Sequence, residues 1–416
     1  MKNKILAYCL LSVFSASFSI PALANGDIAA GKSKSVTCVG CHGADGMGLS
    51  EEFPNLAGQK QAYIVKQLTA FKNSTRTDPT MKAMTALLSD NDMLDLSAYY
   101  ASLNPSTTEQ STASTVTVVK ASNHEFPKPV FISMKNAGTV GAFPDEAVWQ
   151  GGPNMLYTAV TPNGKMVLST SPSTNTLYVF SSANGKQLAI IPVGKAPKGV
   201  KVTPDGQFAY VSNQGSADVS VIDLKSLKLI DSIKVEAGPH NVRFTLDGKT
   251  AYVTLQGGAG IAVINTAQRK MVRVIPVPGI TGPHNLDLSA DEKTAYVRDF
   301  VHHVAVLDIK SGVVKKVIKV GNGHGGIDVS PNGRYVATAA IGADFISVIN
   351  PETLEVKNIT VGNGPHGIRA SADSRWIYVT ITKDNLVAVI DTKTMKVTKK
   401  IAVGKFPFWI AVNNNP

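Results

Sequence analysis

The sequence predicts a multidomain chain of two unlike classes: a small all-α domain, followed by an all-β propeller of seven blades. Three observations predict it. A CVGCH run at Cys38–His42 sits among short helical patterns. Downstream, turn pairs return every 41 to 44 residues with strand-like segments between them. The two ends of that second region each hold the strands that the other lacks.

The N-terminus carries Lys2 and Lys4, an apolar run from Ile5 to Ile20, and PALA before Asn25. That is the pattern of a cleaved secretory leader over residues 1–24, and it predicts export. No later run is long and apolar enough for a membrane helix, so no membrane span is expected. Cys9 falls in the leader. The mature chain then keeps only Cys38 and Cys41, which excludes a disulfide framework. Charge is unevenly divided: residues 25–104 carry seven Lys/Arg against eight Asp/Glu, whereas 105–416 carry 32 against 22. The basic excess favours an anionic ligand, cofactor or partner in the second part. Its basic residues are scattered rather than interleaved with aromatics, which argues against nucleic acid.

Within residues 25–104, C-x-x-C-H in an exported protein reads as covalent attachment of one c-type haem. The thiols of Cys38 and Cys41 add to the haem vinyl groups, and His42 lies close enough to ligate the iron. A zinc site lacks its second half, since no other cysteine remains. A redox dithiol needs no following histidine, and nothing nearby reads as a βαβ unit. GDIAAGKSKSVT predicts a short helix before the motif. QKQAYIVKQLTAFKN places Tyr63, Ile64, Gln67, Leu68 and Phe71 at amphipathic spacing. SDNDMLDLSAYYASL opens on Ser89 as N-cap with Asp92 three residues on, and Pro105 follows its end.

These eighty residues, with CHGADGMG, PNLAGQ and LSDNDMLDLSAYYASL, resemble the small class I c-type cytochromes of bacterial periplasms. The resemblance implies a periplasmic location and a soluble electron donor or acceptor. It also implies a methionine before the last helix as second iron ligand. PTMKAMTALLSD offers Met81, at the family's spacing, with Met84 as the alternative. Thioether plus imidazole suits electron transfer rather than small-molecule binding. Pro54 resembles the family residue whose carbonyl holds the proximal histidine ring.

Residues 105–128 are rich in Ser, Thr and Pro without helical period and read as a linker; His124 within it is given no role. From 129 to 416 the chain repeats. Turn pairs begin at Asn163, Asp205, Asp247, Asp291, Asn332 and Asp373, spaced 42, 42, 44, 41 and 41 residues apart. Segments such as AYVSN, AYVTL and IYVTI follow the turns, then VSVID, IAVIN and VAVID, then a third strand. This is the period of propeller blades. The units resemble the YVTN repeat family, a fold that hosts many activities. FPFWIAV at the C-terminus reads as an innermost strand without partners. FISMKNAGTVGAF at 131–143 reads as middle strands without an innermost one. Six blades plus one split blade give seven, and closure removes exposed edges.

The position before each innermost strand is read round the ring as Asn154, Lys198, His240, His284, His324, His366 and Phe408. His240, His284 and His366 lie seven residues before their turns, but His324 lies eight before its own. Two readings stand. Duplication kept a turn residue that hydrogen-bonds the next blade, or four imidazoles converge to hold a ligand or metal. Three residues into the strands, Arg243 and Arg369 share a register with Lys201 and Asp287, with Asp328 close by. Inter-blade pairing of Arg243 with Asp287 and Arg369 with Asp328 is one expectation; an anionic small ligand at the mouth is the other. His302 and His303 read as peripheral.

A cytochrome fused to a propeller also resembles the periplasmic nitrite reductases that pair haem c with a d-type haem, and HGGIDVSPNGRYVATAA is similar to a segment of that domain. That family has eight longer blades. The resemblance implies a d-type haem over the histidines and chemistry on a small nitrogen-oxide-like molecule. Nitrous oxide reductases, with a histidine-held copper cluster on a seven-bladed axis, imply copper instead. The alternative of another class is an electron carrier whose propeller is a non-catalytic binding or docking module. The chain is an oxidoreductase only if the propeller carries a second redox centre.

Overall fold

The computed structural model describes residues 26–413 apart from 44, 49–52, 87, 105–128, 144–145 and 259. The leader, the linker and His124 therefore lie outside the described residues. Five helices come first: α1 (Ile28–Lys34), α2 (Val39–His42), α3 (Gln61–Lys72), α4 (Pro79–Thr85) and α5 (Asp90–Ser102). Helix α5 starts where the sequence places it. The Ser89 hydroxyl accepts from Asp92 N–H and the Asp92 carboxylate accepts from Ser89 N–H, a reciprocal cap that satisfies two orphan donors. Its buried face includes Met93, and Leu96, Tyr99 and Tyr100 pack with Ile64 of α3 into the small core of this domain. Lys34 ties α1 to α5 through Asp92 and Asp95 at 2.7 and 2.6 Å. Helix α4, which carries both methionines, has no counterpart in the sequence reading.

Among the described residues, 28 strands form seven four-stranded antiparallel sheets arranged as blades. Six blades are contiguous in sequence. The seventh joins Val130–Met134, Thr139–Phe143 and Ala147–Gln150 to the last strand, Pro407–Val412. Val130 faces Val412 and Ile132 faces Ile410 in that closure. The split blade inferred from the two chain ends is thus present. Within a blade the two middle strands are buried on both faces, as in Val219–Ile222 and Ala251–Leu255, and the outermost strands alternate or are exposed.

The inner strands set up the axis. Those at Pro197–Val202, Pro239–Phe244, Pro283–Leu288 and Pro365–Ala370 break register just after their proline. Proline lacks the N–H that a regular ladder needs, and a bulge re-aims the next side chain. In three of these strands that next residue is His240, His284 or His366. Their carbonyls are held from the preceding blade: Ser212 Oγ donates to His240 O at 2.9 Å, Thr254 Oγ1 to His284 O at 2.8 Å and Gly326 N–H to His366 O at 2.8 Å.

Candidate functional site

The helical domain sits on this mouth of the propeller. Lys135 Nζ lies 4.6 Å from the centre of the Phe53 ring, Thr80 Oγ1 is 3.4 Å from Gln214 Oε1, and a methyl added to Gly342 would meet Val39 at 3.1 Å. Between the two domains lies a cavity of about 700 Å³. One wall carries Cys38, Cys41, His42, Met81 and Met84; the other carries Lys135, Lys198, His240, His284, His324 and Phe408. Sites that bury an organic cofactor run roughly 300–1,000 Å³.

The first wall fits a covalent haem. Helix α2 places Cys38, its N-cap, and Cys41 one turn apart, both half-buried and unpaired. His42 Nδ1 is 2.9 Å from Pro54 O, so Nδ1 bears the hydrogen and Nε2 is left bare for a metal. Burial is the main cause holding His42 below the usual imidazole range. Burial likewise pushes the Cys41 thiol up to about 12. A redox dithiol needs a lowered thiol, so that alternative has no support here. Met81 and Met84 are three residues apart on α4 and both reach the cavity. The Asp78 carboxylate accepts Met81 N–H at 2.7 Å and anchors that end of the helix.

A closed ring of aromatic side chains forms the second wall. His240 and His284 have ring centres 3.8 Å apart, His284 and His324 4.9 Å, His324 and His366 5.1 Å, and His366 and Phe408 3.9 Å. Tyr157 closes it, 5.7 Å from Phe408 and 5.4 Å from His240. His324, offset by one residue in sequence, enters the same ring. It does so from a loop rather than a bulged strand, with Gly323 at a φ of +84°, and its imidazole stacks on Phe300 at 4.6 Å. Buried Arg298 steadies that loop, donating to Gly321 O at 2.8 Å and to Gly323 O while pairing with Asp299 at 2.9 Å.

Both readings of the histidines find a part. His240 Nδ1 donates to His284 O and His366 Nδ1 to Phe408 O, each at 2.9 Å, so two rings bond the neighbouring blade. Burial holds all four imidazoles low, His366 down to about 3, and they are neutral at pH 7.

Arg243 and Arg369 do not share this site. They line a separate cavity of about 290 Å³ with Lys201, farther along the inner strands. There Arg243 Nε pairs with Asp287 at 2.6 Å and Arg369 Nη1 with Asp328 at 2.7 Å, the inter-blade pairs expected from register. Each carboxylate also accepts a main-chain N–H from the next blade, Val329 at 2.8 Å and Ala370 at 2.6 Å. The two arginines and the four histidines, grouped in sequence as one candidate site, are therefore two sites. His303 Nδ1 is 3.0 Å from Asp299 Oδ2 and, with His302, stays outside the ring. Sequence reasoning missed Tyr157, Phe300, Arg298 and Lys135. The only signal was the unusual RDF at 298–300, where other blades read SNQ, TLQ, TAA or TIT.

A family model described as cytochrome c matches residues 28–104, and one described as YNCE-like beta-propeller matches 201–291 and 289–415. The chain belongs to the YNCE-like beta-propellers and carries a cytochrome c domain in front. Cytochrome c4 of Pseudomonas aeruginosa is 42% identical over 100 residues, 24% of this chain and 48% of that one. Cytochrome c-554(548) of Halomonas halodenitrificans is 44% identical over 80 residues, 18% of this chain and 96% of that one. The match thus spans about half the length of the cytochrome c4 protein. A hydrazine synthase structure from Kuenenia stuttgartiensis superposes with a TM-score of 0.58 at 21% identity, over 63% of this chain and 90% of that one. At that identity the likeness shows the propeller fold alone. The cytochrome c domain implies haem c at Cys38 and Cys41 and electron transfer with a redox partner. Among the described residues, no helix is long and apolar enough to cross a membrane.

Proposed function

We propose that the chain is an exported periplasmic electron carrier whose haem faces the histidine ring of its own propeller. Electrons would pass between a soluble partner and that mouth. The observation carrying this reading is the shared cavity, with CVGCH and the methionines on one wall and the rim on the other. Bound there, the haem supplies reversible one-electron exchange at a fairly high potential. Cys38 and Cys41 would anchor it, and His42 Nε2, with its ring oriented by Pro54 O, would bind the iron. Met81, at the spacing of the class I cytochromes, would supply the second ligand, with Met84 as the alternative. Lys135 and Lys198 bring positive charge to the propeller wall, suiting the haem's own carboxylates or a small anion of the nitrogen-oxide class.

A metal ion accords with the ring better than a d-type haem. The cations that suggested a multiply carboxylated macrocycle are divided between two cavities, and Arg243 and Arg369 are already paired. The docking-module reading draws on the His240 and His366 bonds to neighbouring blades, which a purely structural ring would also make. The haem midpoint potential separates a haem that faces the propeller from one that does not. Replacing Lys135 and Lys198 by Gln removes positive charge beside the iron, and each should lower the potential by roughly tens of millivolts. An unchanged potential in both variants would sink the proposal.

A further inference from the structure

Three imidazoles of the ring point at one another. His284, His324 and His366 each offer a ring nitrogen, and these nitrogens all lie within 4.8 Å of one another. Their residues are 2%, 6% and 0% exposed, so bulk solvent does not reach them. Both nitrogens of His284, Nδ1 of His324 and Nε2 of His366 are buried without a hydrogen-bond partner among the described residues. A buried polar atom without a partner is costly, and four in one place point to a partner that binds them together. One cation at the centre would satisfy one nitrogen of each ring.

The fourth histidine is already committed. His240 donates from Nδ1 to His284 O, and its Nε2 is 3.4 Å from the Tyr157 hydroxyl. His366, by contrast, is arranged as metal-binding histidines are: Nδ1–H is held by a main-chain carbonyl, which fixes the tautomer and leaves Nε2 bare. Phe300 lies against two members of the group, stacked on His324 and edge-on to His284 at 5.3 Å.

We propose that His284, His324 and His366 hold one copper ion, as Cu(I), on the axis of the propeller. Imidazole suits copper and zinc alike, and the charge of the surroundings decides between them. Among the described residues the group contains no carboxylate or thiolate; Arg298 nearby is neutralised by Asp299, while Lys135 and Lys198 line the same cavity wall and bring net positive charge to it. A monovalent ion meets less repulsion there than a divalent one, and zinc has no monovalent form. The proposal deepens the reading that this mouth faces the haem. Binding and haem potential are measured separately, so either can fail alone.

The test uses the haem-loaded protein, stripped of adventitious metal and titrated anaerobically with Cu(I) against a chromophoric Cu(I) chelator, with Zn(II) in parallel. One Cu(I) per chain is expected. Supporting residues of metal sites are worth about 10–100-fold in affinity, so His284→Ala and His324→Asn, which remove ligands, should weaken binding by more than about 100-fold. His303→Ala, in the peripheral pair, should leave it unchanged. X-ray absorption at the copper edge of the wild-type protein should show three nitrogen neighbours, a readout that does not depend on the variants folding. Copper retained in His284→Ala, a different neighbour set, or a tighter single Zn(II) site would overturn the proposal.

Discussion

Met81 and Met84 lie three residues apart on one short helix, and that spacing is why both side chains reach the haem cavity. Met81 is the proposed ligand, by its spacing in the sequence. The expected outcome is that Met81→Ala abolishes the sulfur-to-ferric-iron charge-transfer band, whereas Met84→Ala keeps it; visible spectra of the oxidised proteins check this, and the reverse result would reassign the ligand. At the other cavity, Asp287 is 2% exposed and holds both Arg243 and Val329 N–H. Asp287→Ala takes the carboxylate from a largely buried guanidinium and should cost about 3–5 kcal/mol, measured by denaturant unfolding. These pairs were legible in sequence because strand register is a count. The division between arginines and histidines was not, because a count along a strand does not say which cavity a side chain enters.

Helix α5 shows what a local signal can carry. Its cap was legible because Ser89 and Asp92 interact across three residues, with no tertiary information needed. Lys34, from α1, is the larger cause holding the Asp92 carboxyl down to about 2, and the cap adds to it. A carboxyl lowered in the folded state stabilises above its ordinary value near 3.8 and loses that contribution as pH falls toward 2. Asp92→Asn should therefore flatten the acid-stability curve of the helical domain between pH 4 and 2, read by circular dichroism, with little change in slope above pH 5. Helix α4 escaped because it is seven residues long and starts at a proline. The inner strands escaped in another way. Their repeat was plain, but the bulge after each proline, which turns the histidines into the channel, exists only once the second strand is paired.

Seven blades were countable because the two chain ends complement each other, and the closing strand is buried from Pro407 to Val412. Ile410, fully buried opposite Ile132, lies in the middle of the strand pair that closes the ring. Ile410→Asp should abolish cooperative propeller unfolding while leaving a haem c spectrum, since the helical core is separate. The placement of one domain on the other was not legible. It depends on scattered contacts, Lys135 on Phe53, Thr80 on Gln214 and Val39 on Gly342, none of which has a sequence pattern. That placement makes a cytochrome domain and a propeller mouth into one site. An anomalous difference map at the iron edge, from crystals of the matured protein, tests it most directly. The account predicts a single iron between His42 and Met81, inside the cavity whose far wall is the histidine ring. Iron on a domain turned away from the propeller, with the ring opening to solvent, would contradict it.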